Sequence, residues 1–217
     1  MGTDGSMRPS AFDVVTIVAS TGGLAALRTI MATLPGDFPL PVVAFQHRSE
    51  HANDVLPRLL TAGGPLTARP VTASSRLTPG IWVLPPGWTG QFVEPTRLEP
   101  EHAPRGQGAD VLLRSMSAMF AARCLAVVLT GRLDDGAGGV REVKRRGGRV
   151  FVQDPATAAA SGMPNAAIAT GCVDHILALR LISSALVAYA MAPGAADYLT
   201  VPVPSWARLG PPHSVPA

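Results

Sequence analysis

"DVVTIVASTGGLAAL", Asp13 to Leu27, is the stretch on which the fold reading turns. Its apolar, β-branched half reads as a buried strand, Phe12 to Ser20. Two glycines follow, and "TGGLAALRTIMATL" (Thr21 to Leu34) then takes up the apolar spacing of a helix. A strand that passes directly into a helix belongs to a crossover unit. Repeated along a chain, such units build a parallel sheet.

The same alternation continues outward from this stretch. "PLPVVAFQH" (Pro39 to His47) reads as the next strand and His51 to Ala62 as a helix ending at Gly63-Gly64. "LTARPVTA" and "GIWVLPPG" are short strands separated by turn residues, and "QFVEPTRLEP" is expected to pair with them as a hairpin. Beyond a polar loop, Ala109 to Arg123 is helical and "CLAVVLTG" is a strand. "DGAGGVREVKRRGG" carries a helix, Arg149 to Asp154 a strand and "PNAAIATG" a short helix. "CVDHILAL" reads as a strand edge, and Arg180 to Met191 closes with a helix. The expected class is α/β: a doubly wound, mainly parallel sheet with helices on both faces and an antiparallel hairpin.

In organisation, residues 1–11 read as a flexible N-terminus, 12–191 as one domain and 192–217 as a loosely ordered Pro/Ala-rich tail, on which Tyr198 and Trp206 could dock. The chain has 217 residues, 47% of them hydrophobic and 15% charged, enough to bury a core. The net charge of +3 rests almost wholly on arginine, since Lys144 is the only lysine. Basic residues are scattered and aromatics make up only 5%, which argues against a nucleic-acid partner. Cys124 and Cys172 sit in apolar runs and read as core residues. No apolar run nears the roughly 20 residues of a membrane span, and no signal-peptide core is visible, so a cytoplasmic protein without membrane insertion is expected.

In an open α/β sheet, ligands bind beyond the carboxyl ends of the strands. Ser20 closes the first strand, His47 closes the second, and Asp134-Asp135 follow "LAVVLTG". A hydroxyl, an imidazole and a carboxylate are the groups that acyl transfer needs. The turn at Thr21 and Gly22 brings backbone amides and a helix start close to where negative charge would develop. Each residue also has a plainer explanation. Ser20 or Thr21 could cap the helix, His47 could be structural, and either aspartate could be a turn residue. "HRSEH" (His47 to His51) matches the H-x-x-E-H pattern of a zinc-peptidase class, but that chemistry needs both histidines on one helix, and His47 ends a strand pattern.

Five blocks in register carry a resemblance: "ASTGG", "LPGDFPLPVVAFQH", "LTGRLDDGAGG", "VQDPATAAASGMPNAA" and "GCVDHIL". Together with "LTPGIWVLPPG" they resemble the catalytic domain of CheB-type protein-glutamate methylesterases over Asp13 to about Met191. The resemblance implies a serine hydrolase that demethylates glutamyl esters on chemoreceptors, with glutamine deamidation as a related activity. It implies Ser20 as nucleophile, His47 as general base and Asp135, not Asp134, as the acid. It makes the Arg132 N–H an oxyanion candidate beside Thr21 and Gly22, and places Met163 of "GMP" in a loop near the site. No metal or organic cofactor is implied. The partners expected are a methylated receptor protein and, for regulation, a separate protein, because the dozen or so residues before Asp13 are too few for a receiver domain. A CheB-like binding module without catalysis is the alternative. The chain departs from the family pattern at Arg132-Leu133, at Arg48-Ser49-Glu50-His51, at "GQGADVLL" and at Ser161, all on the expected pocket rim.

Overall fold

The apolar run after Asp13 forms strand β1, Val14–Ala19, every residue of it buried. The computed structural model describes residues 10–73 and 75–191; residues 1–9 and the expected tail, 192–217, lie outside them. Helix α1, Gly23–Met31, follows β1 at once and leads to β2, Pro41–Gln46. Helix α2 is Leu56–Thr61, β3 is Ala68–Pro70 and β4 is Gly80–Val83. Strands β5, Trp88–Glu94, and β6, Arg97–His102, precede helix α3, Gly108–Phe120. Then come β7, Cys124–Val128, α4, Ala137–Arg145, and β8, Arg149–Gln153. Helix α5, Gly162–Ala169, β9, His175–Leu177, and α6, Ile182–Met191, complete the domain.

Seven strands form one sheet in the order β3-β4-β2-β1-β7-β8-β9, every pair parallel. Winding proceeds outward from β1 in both directions, so the strand order reverses at β1, where such sheets bind ligands. Successive side chains alternate between faces. Val15, Ile17 and Ala19 join α1, α2 and α6 in one core, while Val14 and Val18 join α3, α4 and α5 in the other. Burial on both faces explains why the strands read as unbroken apolar runs.

Three expectations need correction. "QFVEPTRLEP" does not pair with the two preceding strands. Most of both hairpin strands lies within it, β5 pairing antiparallel with β6, while β3 and β4 lie parallel in the main sheet. The hairpin buries Phe92 and Leu98 over α3, with Phe92 edge-on to Phe120 at 5.1 Å. The helix expected from His51 begins only at Leu56, with Pro57 in its first turn, where its missing N–H leaves no gap. "GMP" is not a loop: Gly162 to Pro164 is the first turn of α5.

Candidate active site

Ser20 and His47 become neighbours through strand register alone. Ala19 pairs with Gln46, and one step further the His47 N–H donates to the Ala19 carbonyl at 2.9 Å. Counting by twos, Ser20 continues the face of Val14 and Val18, and His47 that of Val43 and Phe45. Both therefore leave the sheet on the α3/α4 side, on adjacent strands spaced about 4.8 Å apart.

The Ser20 hydroxyl is not used for capping. The cap of α1 is Gly22, in the left-handed region at φ 81°, and no side chain bonds to that helix end. A Cβ on Gly22 would come within 2.6 Å of the Ala159 Cβ, so the turn demands glycine sterically as well as conformationally. Ser20 N–H donates to the Thr130 carbonyl at 2.9 Å, and its carbonyl accepts from Gly23 N–H at 2.8 Å. Thr21 is exposed, with its carbonyl taking the Thr130 hydroxyl at 2.9 Å.

The His47 ring lies edge-on to Phe45, and its Nε2 is 2.6 Å from Asp135 Oδ2. The His47 side chain is 31% exposed and that of Asp135 only 4%. Two backbone amides from the start of α3 also converge on Asp135: Ala109 N–H reaches Oδ2 at 2.9 Å and Asp110 N–H reaches Oδ1 at 3.0 Å. The positive end of a 13-residue helix thus faces this carboxylate. Asp134 is exposed and serves the turn, its carbonyl accepting from Ala137 N–H.

Asp110, Thr130 and Gln153 were not singled out by sequence reasoning. Asp110 Oδ1 accepts from Gly139 N–H at 2.7 Å, tying the start of α3 to the start of α4. Burial pushes the Asp110 carboxyl above its ordinary range; the Gly139 amide opposes this, the nearby Asp135 charge adds to it, and Arg114 opposes it. Thr130 N–H donates to Gln153 Oε1 at 2.9 Å, and Thr130 Oγ1 accepts from Ala160 N–H at 2.9 Å. The signal for Gln153 was a polar residue closing an apolar strand at the ligand-binding edge.

The loop after β7 carries the remaining candidates. Gly131 lies against the serine: a Cβ there would stand 2.9 Å from the Ser20 Cβ and 2.1 Å from the Met163 Sδ. Met163 is buried, and its N–H donates to the Gly131 carbonyl at 2.9 Å, so that amide is already engaged. Arg132 is exposed on the rim next to Gly131. The residues of the zinc pattern are not on a helix. His47 follows β2, His51 lies in a turn, and among the described residues no three His, Cys, Asp or Glu side chains are grouped to hold a metal.

Fold and site together define a doubly wound α/β domain with a serine, an imidazole and a buried carboxylate at its topological switch point. The family model described as CheB methylesterase matches residues 15–186. The chain belongs to the CheB methylesterase family. It is 33% identical over 183 residues to the protein-glutamate methylesterase FrzG of Myxococcus xanthus, covering 82% of this chain and 55% of that protein. It is 34% identical over 197 residues to a protein-glutamate methylesterase/protein-glutamine glutaminase of Moorella thermoacetica, covering 83% and 45%. The chain thus spans about half the length of these curated relatives. The crystal structure of the Thermotoga maritima CheB methylesterase catalytic domain superimposes with a TM-score of 0.75 at 28% identity, covering 81% of this chain and 97% of that one. No helix among the described residues is long and apolar enough to cross a membrane.

Proposed function

We propose that this chain is a carboxylic ester hydrolase that removes methyl groups from glutamyl methyl esters of a receptor or related sensory protein in the cytoplasm, with glutamine deamidation as a second activity of the same site. The observation that carries the reading is the 2.6 Å contact between His47 Nε2 and Asp135 Oδ2, made by a histidine held in register beside Ser20. Family membership, and relatives named for both activities, support it independently.

In this mechanism Ser20 Oγ attacks the ester carbonyl carbon as its proton passes to the imidazole. With Nε2 directed at Asp135, Nδ1 is the ring nitrogen left to accept that proton. Asp135 fixes the ring's tautomer and stabilises the imidazolium. The Arg132 N–H and the amides of the Thr21-Gly22 turn receive the oxyanion, while Met163 shapes the wall, since its own amide serves Gly131. The tetrahedral intermediate collapses, the bond to methoxide breaks, and His47 returns the proton so that methanol leaves. Water then attacks the acyl-serine by the same route, giving a glutamate carboxylate and the free hydroxyl.

A serine-directed phosphonate tests the reading. It should label the protein at Ser20 with loss of ester turnover, and His47→Ala should suppress the labelling. Methanol release from methylated receptor membranes should vanish in Ser20→Ala without a change in thermal midpoint. Labelling elsewhere, or turnover that survives Ser20→Ala, removes the proposal.

A further inference from the structure

The residue of the acid loop that neither fold nor triad explains is Leu133. It is 78% exposed, more than any other large apolar side chain described. Its φ is 64°, in the left-handed region; among the described residues, the only other non-glycine with positive φ is Ala121. Burial does not account for a leucine here, and its backbone conformation suits glycine or asparagine better. A backbone conformation that costs folding energy thus coincides with a side chain from which folding gains nothing.

The surroundings pack closely against that backbone. Gly162 packs directly on the Leu133 backbone: a Cβ at position 162 would approach Leu133 N at 2.7 Å and Leu133 O at 2.8 Å. Gly131, two residues earlier, lies against Ser20 and Met163, and Asp135, two residues later, is fixed by His47 and the start of α3. Leu133 is thus a bare apolar side chain on a closely packed backbone at the rim of the site, flanked by the exposed Arg132 and Asp134. Strain held in place by its surroundings at a site's edge is a feature of ligand contacts.

We propose that Leu133 is a specificity-determining contact: it takes an apolar side chain of the protein substrate adjoining the esterified glutamate. This rests on the esterase reading above. Substrate binding buries the leucine that folding leaves in water, and a preorganised backbone keeps the ordering cost of that contact low. Substrates whose ester is flanked by polar residues gain nothing from it.

The test uses two synthetic peptides, each with one glutamyl γ-methyl ester, identical except that leucine flanks the ester in one and serine in the other. The wild-type chain should favour the leucine peptide by about tenfold in kcat/KM. Leu133→Gly and Leu133→Asn, both suited to a left-handed backbone, should bring that ratio close to one, with the Leu133→Gly melting temperature no lower than wild type. Leu133→Met should keep the preference. A ratio unchanged in the glycine and asparagine variants, with turnover of both peptides falling together, would mean that Leu133 only shapes the loop, and overturns the inference. An active wild type with no preference overturns it while sparing the esterase reading. A wild type inactive on both peptides removes that reading and the inference with it.

Discussion

Ser20 and Thr21 stand where helix-capping residues are commonest, yet the cap is Gly22 and no side-chain hydroxyl bonds to the end of α1. The plain explanation of Ser20 thereby falls away, because a capping serine would accept from the helix amides. The two adjacent aspartates separate just as cleanly. Asp135 is buried on His47 and two amides, whereas Asp134 is exposed in a turn. On the mechanism proposed above, Asp135→Asn should lower kcat by about 10⁴, because an amide facing His47 would leave the imidazole in the wrong tautomer. Asp134→Asn should stay within about threefold, since a surface turn residue bears little on the reaction. Steady-state kinetics on one ester decides between them, and the reverse order would reassign the acid.

At the scale of elements, the site depends on how α3 and α4 begin. Gly139 leaves no room for a Cβ, which would stand 2.6 Å from the Leu113 Cβ, so the two helices approach closely enough for Asp110 to bridge them. That bridge also positions the Ala109 and Asp110 amides on Asp135. Asp110→Ala removes the acceptor from Gly139 N–H and should lower stability by about 1–2 kcal/mol in urea unfolding. Asp110→Asn keeps an oxygen acceptor and should lose less. The helix periodicity of "ADVLLRSMSAMF" was legible in the sequence; the role of its aspartate was not, because on a helical wheel it is one more polar residue in the first turn.

For the molecule as a whole, the lone lysine marks a point that composition alone could not interpret. In a chain that otherwise uses arginine, Lys144 is buried and paired with Asp174, the two side chains 2% and 0% exposed. Asp174 also accepts from Val150 N–H at 2.8 Å, so the pair fastens α4 to the β8–β9 edge of the sheet. Lys144→Met should destabilise by about 3–5 kcal/mol by taking the ammonium from the buried Asp174 carboxylate, and Lys144→Met with Asp174→Asn should recover much of that loss. Burial also pushes the Cys124 thiol from 9.0 up to about 12. Between those values the unfolded chain has lost the proton and the folded one keeps it, so stability should fall as pH rises above about 9. Urea midpoints between pH 8 and 10.5 should show the decline, flattened in Cys124→Val; Cys172 and Tyr189, pushed the same way by burial, add to it.

The alternation of buried strands and helices, and with it the parallel sheet, is legible along the chain, because burial on both faces leaves an unbroken apolar run that periodicity can read. The sequence also placed Ser20 and His47 at strand ends, where a count by twos puts them on one face. Tertiary packing was needed to show that Asp135, 88 residues beyond His47, meets its ring, that "GMP" is a helix turn, and that Leu133 is exposed on a left-handed backbone. Local periodicity fixes which face a side chain takes. Which distant loop meets that face is set by packing between helices whose glycines allow close approach, and spacing along the chain carries no trace of it.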